Sequence, residues 1–487
     1  MTHHDVDVVV VGFGPVGTTL SALLARRGLR VLAVDRDTEL FPLPRAAHID
    51  HEIMRILQEV GCADAVAPAT IINAGMDFLA ADRQVLLSMR PPVTTPSGWP
   101  ASTMFHQPGL EQPMRDAAVA SGIATRLGTA VTAVVDRGDH AVVGLEDGSE
   151  VTAAIVVGCD GARSSVRKQL GIEMDDLQFE EPWLVLDLVL HDGVEPPASV
   201  ALQVCDPARP HTLVPMPAPR FRFEFMLLPG EDPAAINTPD TIRSLLAAWI
   251  DPDQVTIERS AVYTFHGLIA QRWRQGRVLL AGDAAHQMPP FLGQGMCSGM
   301  RDAANLAWKL DRVVRGFSPV ELLDTYQAER EPHVRTIVEL AVSFGRLICT
   351  TDAAVAAERD AGMLAARAAG GGTAEGGTSP TLPDGPLVAP GGTQVHQPEV
   401  DGVRLDDLIG DRFAVLVRHA ALASGDAADW WRAFGAVVLD AEAHPTLIEA
   451  LDAGGADTVI VRPDRYILAA GSALTVPSPE ALALLTV

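Results

Sequence analysis

Residues 6–28 read VDVVVVGFGPVGTTLSALLARRG, and the pattern of this segment indicates the fold class. Its apolar run at 6–11 predicts a strand, and the apolar-periodic segment at 18–27, which ends at a glycine, predicts a helix. A second apolar run at 31–34 predicts another strand directly after the helix. The order of these segments predicts a βαβ unit, the building block of a parallel sheet.

The turn between the first strand and the helix carries three glycines in G-x-G-x-x-G spacing. Gly12 allows a tight turn, Gly14 lets the backbone approach a pyrophosphate, and Gly17 permits close packing of the helix. The helix N-terminus would offer amide donors to phosphates. Asp35, at the end of the second strand, would accept hydrogen bonds from a ribose diol, and Arg36 either meets a ribose phosphate or lies in solvent. The segment therefore predicts dinucleotide binding.

The composition is that of a globular protein, since 48% of the 487 residues are hydrophobic and 20% are charged. This length predicts two or three packed units. The formal charge of −25 argues against nucleic acid as a partner. The five cysteines lack CxxC or metal-like spacing, so we expect reduced thiols and no metal site. Without a signal peptide or a membrane-length apolar run, we expect a cytoplasmic protein with no membrane partner.

Two later segments place polar residues at the ends of predicted strands. VVGCDGARSSVRKQLGI puts Asp160, Gly161 and Arg163 at a strand-to-helix turn, and GRVLLAGDAAHQMPPFLGQGMCSGM places Gly282 and Asp283 after another strand. Ligands bind at the carboxyl ends of strands in an open α/β sheet, where a carboxylate can hold a polyol such as a ribityl chain. The first segment alone would be an ordinary turn. Together the two segments favour a flavin as the resident cofactor.

These three motifs, in this order and spacing, resemble those of the flavoprotein aromatic hydroxylases that share the para-hydroxybenzoate hydroxylase fold. The resemblance covers about residues 5–345. The stretches RAAHIDHEIMRILQEVG, RFEFMLLPGE and MPPFLGQGMCSG look most like the branch of 3-(3-hydroxyphenyl)propionate hydroxylases, which is related to phenol and polyketide hydroxylases. The resemblance implies resident, non-covalent FAD, transient NADH or NADPH, and dioxygen as a co-substrate.

The resemblance also implies which residues contact FAD. The Gly12 loop would bind the ADP half, the Asp160 segment would serve both FAD and nicotinamide, and Asp283 would contact the ribityl chain. Arg45 and Gln107 match family positions that touch FAD. The complete set of expected cofactor-binding residues is Gly12, Gly14, Pro15, Gly17, Asp35, Arg36, Arg45, Gln107, Asp160, Gly161, Arg163, Gly282, Asp283, Pro290, Gly293, Gly295, Met296 and Cys297.

The segment after Asp283 suits the reactive end of a flavin. Gly293 and Gly295 would let backbone lie against the isoalloxazine, and Met296 and Cys297 would open a helix whose amides stabilise negative charge on reduced flavin. Pro290 would stiffen the wall where oxygen is transferred, which makes it a candidate catalytic residue.

The resemblance implies hydroxylation of a phenolic ring, ortho or para to an existing hydroxyl, through a flavin C4a-hydroperoxide. The substrate stays open between a 3-hydroxyphenylpropionate-like acid and a polyketide phenol. A non-oxygenating FAD oxidoreductase and a Baeyer–Villiger oxygenase of polycyclic products are the alternatives. A flavin halogenase is disfavoured because Gly98 and Trp99 are followed by PAS, which breaks the halogenase signature.

A group that draws the proton off the phenol is expected near the ring. Of the three tyrosines, Tyr326 and Tyr466 fall outside the middle of the chain, which leaves Tyr263 as the candidate. His211 or Arg222 would meet a substrate carboxylate. Further candidate pocket groups are His48, Asp50, His106 and His266.

We expect an α/β protein with an FAD-binding Rossmann-like domain of the GR2 type, an inserted β-sheet substrate domain and a C-terminal thioredoxin-like domain. Five apolar stretches, most bounded by prolines, predict the inserted sheet. They lie at 182–190, 199–204, 211–216, 221–228 and 255–265. The C-terminal domain has no cysteine, so it cannot perform thiol redox chemistry and would be structural or support a homodimer.

The boundaries of these domains follow the motifs and the composition. A run rich in glycine and proline predicts the linker before the last domain. We expect the FAD-binding domain at 1–75, 101–180 and 270–367, the substrate domain at 76–100 and 181–269, the linker at 368–397 and the thioredoxin-like domain at 398–487.

Overall fold

The computed structural model describes residues 4–40, 45–374, 381–389 and 391–487. Its architecture is mixed α/β, as the sequence predicts, with two large sheets that border a common cavity and a smaller sheet near the C-terminus. The start of the FPLPRAAHID motif, at 41–44, lies outside the described residues.

The nucleotide sheet, as we call the sheet that contains the glycine loop, is built around the strand Val6–Val11. This strand pairs in parallel with Val31–Asp35 on one side and Glu150–Gly158 on the other. A parallel sheet covered on both faces needs apolar side chains in both directions, which explains the unbroken run of valines. The strands across this sheet are Arg274–Gln275, Val278–Leu280, Glu150–Gly158, Val6–Val11, Val31–Asp35 and Ala124–Leu127, with Ala141–Leu145 and Val131–Asp136 attached to Glu150–Gly158.

The helix after the glycine loop runs Pro15–Arg26. It begins earlier than the predicted 18–27 because proline fits the first turn of a helix. The helix packs against Gly295–Val314. Close packing depends on Gly17, since a Cβ atom there would lie 1.9 Å from the carbonyl oxygen of Gly12.

The substrate sheet, which forms the opposite wall of the cavity, is centred on the long antiparallel strands Met174–Leu190 and Val255–Ala270. Both extend beyond the predicted 182–190 and 255–265. The added residues 174–181 of the first strand are mostly polar and give no apolar pattern, whereas the added residues 266–270 of the second strand begin with a histidine and a glycine that interrupt its apolar run. One face of the sheet packs on an apolar core, and the other faces the cavity. The strands across it are His286–Gln287, Val255–Ala270, Met174–Leu190, Arg220–Met226, His211–Pro215, Ala201–Val204, Met76–Leu79, Val85–Met89 and Thr373–Ala374.

A short sheet joins the two large ones beside the cavity. Its strands are Thr70–Ile72, Ser102–Phe105 and His48–Asp50, with Ser102–Phe105 in the middle. The helices of the described chain are Pro15–Arg26, His51–Val60, Ala63–Val66, Gln107–Ala120, Ser165–Gln169, Pro233–Ile236, Pro239–Leu246, Gly295–Val314, Asp324–Ile348, Ala353–Ala368, Leu405–Ile409, Asp426–Ala433, Ile448–Ala453 and Pro479–Leu485.

The C-terminal unit has its own sheet, whose strands across the sheet are Val437–Asp440, Ala414–Val417, Thr458–Val461 and Ile467–Gly471. The first two strands are parallel and the remaining neighbours are antiparallel, with helices between them. This topology is consistent with the predicted thioredoxin-like domain. A short hairpin, Glu399–Val400 with Val403–Arg404, precedes the sheet.

Part of the predicted linker at 368–397 is regular structure. Thr373–Ala374 pairs with Val85–Met89 and extends the substrate sheet by one edge strand. Residues 375–380 and 390 of this segment lie outside the described residues. The domain boundaries themselves stay predictions.

Among the described helices, no single helix has the length and apolar composition to cross a membrane. The bent pair Val320–Ile348 and Ala353–Ala368 has them only when its two segments are taken together.

Candidate active site

A cavity of about 670 Å³ lies where the nucleotide sheet, the substrate sheet and the short sheet meet. Most of its lining is apolar, with a few polar side chains, which is the usual character of a small-molecule site. Of the residues that the sequence singled out, it is lined by Gly14, Pro15, Arg45, His48, Asp50, Gln107, Gly161, Arg222, His266, Asp283, Pro290, Gly293, Gly295 and Met296.

The glycine loop leaves room for a pyrophosphate. Gly12 has φ +99°, and a Cβ atom there would lie 2.4 Å from the carbonyl oxygen of Cys159, so the turn requires glycine. A Cβ atom on Gly14 would meet nothing within 4 Å, so this position faces open space at the start of the helix Pro15–Arg26. Such space beside a helix N-terminus fits the phosphates of a dinucleotide.

A carboxyl and an amide continue this site along the cavity. Asp283 projects into it, and the surrounding protein desolvates the carboxyl and raises its pKa, against the opposing effects of His286 and Arg45. The amide oxygen of Gln107 accepts hydrogen bonds from the backbone of Arg45 and Ala46, both at 2.6 Å. Gln107 therefore fixes the backbone that carries Arg45, and Asp283 is placed to accept hydrogen bonds from a polyol. These groups fit the ribityl and diphosphate portion of FAD.

Eight of the expected FAD contacts are not among the described residues that line the cavity, namely Gly12, Gly17, Asp35, Arg36, Asp160, Arg163, Gly282 and Cys297. Four of these, Asp35, Arg36, Asp160 and Arg163, have charged side chains. The Asp35 carboxylate accepts a hydrogen bond from the backbone of Phe13 at 2.6 Å, so it holds the glycine loop in place. Asp160 accepts hydrogen bonds from the first turn of the following helix, at 2.6 and 3.1 Å. Arg36 and Arg163 are exposed. Direct contacts of these four residues with FAD stay predictions.

The loop after Asp283 forms the next part of the wall. Gly293 has φ +64°, and a Cβ atom there would lie 2.9 Å from the Cβ atom of His48, so the loop passes closely over this histidine. Met296 lines the cavity at the start of the helix Gly295–Val314. Cys297 is buried behind it, with its thiol 3.6 Å from the carbonyl oxygen of His48. The backbone around Gly293 is thus presented to the cavity, as a flat flavin ring requires.

The cavity face of the substrate sheet carries a row of polar side chains across three neighbouring strands. Gln203 pairs with Thr212, and Thr212 pairs with Glu224 in the strand register. The Thr212 hydroxyl donates a hydrogen bond to the Gln203 amide oxygen at 2.6 Å. Burial raises the pKa of Glu224, which the Arg222 guanidinium only partly offsets. A carboxyl of this kind can donate or accept a hydrogen bond.

Arg222 lies in the next row of the same face, and its guanidinium is engaged. It contacts the Asp187 carboxylate at 2.8 Å and donates to the carbonyl oxygen of Arg45 at 2.8 Å. Arg259 contacts the other oxygen of Asp187, also at 2.8 Å. Breaking such a buried pair leaves a charge without compensation, at a cost of about 3–5 kcal/mol. The expectation that Arg222 holds a substrate carboxylate is therefore not supported by its contacts.

A second polar group lies on the short sheet. The His48 Nε2 atom lies 2.7 Å from the Ser102 hydroxyl, which also accepts from the Asn73 amide at 2.9 Å. The other ring nitrogen of His48 lies 3.2 Å from the carbonyl oxygen of Gly293. Burial lowers the pKa of His48, so the neutral imidazole is favoured. Ser102, His48 and Asn73 all line the cavity, so the Ser102 hydroxyl is both accessible to a ligand there and hydrogen-bonded to the imidazole.

Two predicted catalytic residues lie outside this lining. His211 packs on Phe225, and its Nε2 atom accepts a hydrogen bond from the indole of Trp249 at 3.0 Å, so it belongs to the sheet packing. Tyr263 pairs with Trp183 and lies beside Arg259, with its hydroxyl 3.5 Å from that guanidinium. Neither residue is among the described residues that line the cavity. The structure therefore brings neither of them together with the FAD-site residues.

Sequence reasoning missed Gln203, Thr212, Glu224 and Ser102. The segment RFRFEF contained a usable signal for Glu224, because side chains two apart on a strand share a face and Arg222 was already a candidate. The others sit on short strands whose faces depend on pairing with distant segments.

Two family models match the sequence. One, described as an FAD binding domain, matches residues 5–341, and the other, described as an HcaD C-terminal domain, matches residues 392–483. A probable NADH-specific resorcinol 4-hydroxylase from Rhodococcus jostii is 46% identical over 372 residues, which cover 75% of this chain and 69% of that protein.

Other relatives match nearly the whole chain. A 3-(3-hydroxy-phenyl)propionate/3-hydroxycinnamic acid hydroxylase from Mycolicibacterium gilvum is 35% identical over 522 residues, covering 97% of this chain and 90% of that protein. The crystal structure of aklavinone-11 hydroxylase with FAD and aklavinone has the same fold, with a TM-score of 0.80 at 24% identity over 99% of this chain and 98% of that one. The glycine loop, the cavity and these matches together show that the chain belongs to the family of FAD-dependent aromatic hydroxylases.

Proposed function

We propose that the chain is an FAD- and NADH-dependent monooxygenase that hydroxylates a small uncharged phenol of the resorcinol type. The overall reaction is phenol + NADH + H⁺ + O₂ → diol or triol + NAD⁺ + H₂O, in which one oxygen atom enters the ring and the other leaves as water. Oxygen enters ortho or para to an existing hydroxyl, where the ring is richest in electrons. A homodimer, a cytoplasmic location and the absence of nucleic-acid or membrane partners stay predictions.

The substrate class is inferred from the surroundings of Arg222, which is engaged by Asp187 and lies next to a second carboxyl, that of Glu224. Arg222 is held by Asp187, and the Glu224 carboxyl lies 3.8 Å away on the cavity side. A substrate carboxylate would have to compete with Asp187 for the guanidinium and lie against Glu224. A phenolic hydroxyl meets no such cost, because it can donate to the ionised carboxylate or accept from the protonated carboxyl.

The names of the relatives bear on this choice in opposite ways. The Rhodococcus jostii protein, which is named a probable NADH-specific resorcinol 4-hydroxylase, is 46% identical to this chain. The relative named for a phenylpropionate, from Mycolicibacterium gilvum, is 35% identical. The first name supports both NADH and an uncharged phenol, whereas the second keeps a carboxylate substrate as the competing hypothesis.

Bound FAD would supply the redox chemistry, since it accepts hydride from the nicotinamide and lets dioxygen react with the ring. Gly14, Arg45, Gln107 and Asp283 would hold its ribityl and phosphate portions. The backbone around Gly293 would lie against its ring system. The protein contributes position, polarity and exclusion of water.

Ser102 and His48 are the groups that we assign to the phenolic proton. A substrate hydroxyl beside Ser102 can donate to its oxygen while the Ser102 hydroxyl donates to the neutral imidazole at 2.7 Å. Drawing off this proton raises electron density at the ring carbons that accept oxygen. Pro290 and Phe291 line the same cavity, and an apolar wall there keeps water from the reacting atoms.

The test is a comparison of kcat/KM for resorcinol and for 3-(3-hydroxyphenyl)propionate, each with NADH and with NADPH. The proposal predicts higher values for resorcinol and for NADH, together with product formed. A preference for the phenylpropionate would overturn the assigned substrate class while leaving the hydroxylase family intact.

A further inference from the structure

A buried carboxylate, Glu52, connects the C-terminal unit to the cavity wall. Glu52 is 3% exposed and lies in the first turn of the helix His51–Val60. One of its oxygens accepts hydrogen bonds from the Tyr466 hydroxyl and the Gln394 amide, both at 2.7 Å. Gln394 falls in the predicted linker, but it forms a bridge with Tyr466, and both residues lie within residues 392–483, which match the C-terminal family model. Two donors from this C-terminal unit therefore reach into the FAD-binding unit.

The other oxygen of Glu52 contacts Arg301, which carries the connection to the cavity. Arg301 donates to the Asp50 carboxylate at 2.6 Å and to the Gln294 amide oxygen at 3.0 Å. The Gln294 amide nitrogen in turn donates to Asp50 at 3.1 Å. Asp50 and Gln294 both line the cavity.

The place where this network ends matters for the flavin. Gln294 lies between Gly293 and Gly295, at the start of the helix whose N-terminus faces the expected position of the isoalloxazine. Its contacts with Asp50 and Arg301 fix the loop that would lie against the ring. A shift of this loop would change both the position of the ring and the charge beside it.

The charges of the network explain why donors from the C-terminal unit are needed. Asp50 and Glu52 share the single guanidinium of Arg301 in a buried environment. Burial alone would raise the pKa of Asp50, but Arg301 lowers it well below its usual range, so this carboxylate stays ionised. The second negative charge then depends on Tyr466 and Gln394 for hydrogen bonds, because a buried charge without them is costly.

We propose that Tyr466 and Gln394 are positioning residues for the flavin loop, through which the C-terminal unit sets how tightly NADH oxidation is coupled to hydroxylation. They hold Glu52, so that Arg301 remains shared with Asp50 and Gln294. When Tyr466 or Gln394 no longer donates to Glu52, Arg301 moves toward Glu52. Its hydrogen bonds with Asp50 and Gln294, which line the cavity, are then weakened. The coupling part of this inference rests on the proposed function, whereas the effect on the flavin does not.

The experiment uses full-length holoenzyme and the variants Tyr466→Phe and Gln394→Leu, with Asp464→Asn as the matched control. Asp464 is also a buried residue of the C-terminal unit, but its described contacts are with Arg462 and Asn305 rather than with Glu52 or Gln294. Each protein is measured for thermal stability, flavin midpoint potential, visible flavin spectrum and hydrogen peroxide released per NADH.

We expect Tyr466→Phe and Gln394→Leu to retain FAD but to have a more negative flavin potential, since the negative charge near the ring is less well compensated. With resorcinol they release severalfold more peroxide per NADH than wild type. Asp464→Asn lowers stability without either change. The inference is overturned if both variants have the potential and the spectrum of wild type or of Asp464→Asn. Because the potential needs no substrate, this result stays separable from a failure of the proposed reaction.

Discussion

The carboxyl of Glu224 lies 3.8 Å from the guanidinium of Arg222, two positions along the same strand and on the same side of the substrate sheet. Asp187, on the neighbouring strand, already engages that guanidinium at 2.8 Å. This part of the cavity thus presents a guanidinium whose charge is already compensated by Asp187, together with the additional carboxyl of Glu224. The arrangement favours a substrate that brings hydroxyl groups without a charge of its own.

The acid should make selectivity depend on pH. Burial raises the pKa of Glu224, so the protonated form persists to higher pH than in an ordinary glutamate, and ionisation on raising the pH adds repulsion toward a carboxylate. The ratio of kcat/KM for 3-(3-hydroxyphenyl)propionate to that for resorcinol should fall with rising pH in wild type. Glu224→Gln should flatten this trend and raise the ratio roughly tenfold at alkaline pH, equivalent to about 1.4 kcal/mol.

The control for this variant is Glu258→Gln, which removes a carboxyl that pairs with Arg220 outside the described cavity lining. It should behave like wild type. A pH trend that survives in Glu224→Gln would remove Glu224 from substrate selection.

Two glycines of the same loop should respond differently to substitution. Gly14→Val adds a side chain in open space, so the apoprotein should fold, but the side chain occupies the space for the pyrophosphate and FAD should be lost. Gly17→Ala places a methyl group 1.9 Å from the Gly12 carbonyl oxygen, so the strand and helix must separate and the protein should unfold at lower temperature. Absorbance of bound flavin and circular dichroism measure both outcomes. Normal FAD content in folded Gly14→Val would contradict the assigned cofactor site.

The proton path predicts which variants lose coupling. Ser102→Ala removes the hydroxyl that hydrogen-bonds to the Nε2 atom of His48 and leaves the contact of His48 with Gly293, so FAD should stay bound while peroxide per NADH rises. Tyr263→Phe serves as the control, since Tyr263 lies outside the described lining and should keep the coupling of wild type. The amounts of hydroxylated product and peroxide per NADH decide between the two. Uncoupling by Tyr263→Phe with normal coupling in Ser102→Ala would reverse the assignment.

A buried ion cluster between the C-terminal unit and the rest of the protein should give acid sensitivity. Glu329 contacts Arg462 at 2.9 Å and Lys309 at 3.0 Å. Burial alone would raise the pKa of Glu329, but these two cations lower it to about 2. A depressed carboxyl pKa gives stability that is fully present above the unfolded value of about 4.3 and is lost as the pH falls toward the folded value.

The variant Glu329→Gln should therefore be less stable than wild type at neutral pH but lose less stability between about pH 5 and about pH 3. Urea unfolding at several pH values measures this difference. Parallel pH profiles for the two proteins would show that the cluster does not contribute through the ionisation of Glu329.

Much of the expected cofactor site can be predicted from the sequence, because each of its motifs lies within one short segment of the chain. The Gly12 loop and Asp283 are recognised in the sequence because each follows a predicted strand. The apolar runs that predicted the substrate sheet also correspond to strands in the structure. Pairing across the sheet is a different matter. That Arg222 meets Asp187 depends on strand register, which apolar periodicity does not specify.

The same limit explains why Tyr263 and His211 are not among the described residues that line the cavity. The sequence favours Tyr263 by elimination among the tyrosines and His211 by its residue type and its predicted strand. Neither argument specifies which face of the strand is turned toward the cavity. The contact of Tyr466 with Glu52 joins segments at opposite ends of the chain, and no local pattern marks it. Long-range contacts of this kind appear only once the units are packed together.

Turnover of resorcinol and NADH under isotopically labelled dioxygen, with the product identified by mass spectrometry, tests whether the chain is a hydroxylase of an uncharged phenol. We expect a trihydroxybenzene that carries one labelled oxygen atom, formed in near-equal amount to the NADH consumed. NADH oxidation that yields only peroxide with resorcinol and with other phenols, or a product without the label, would contradict it.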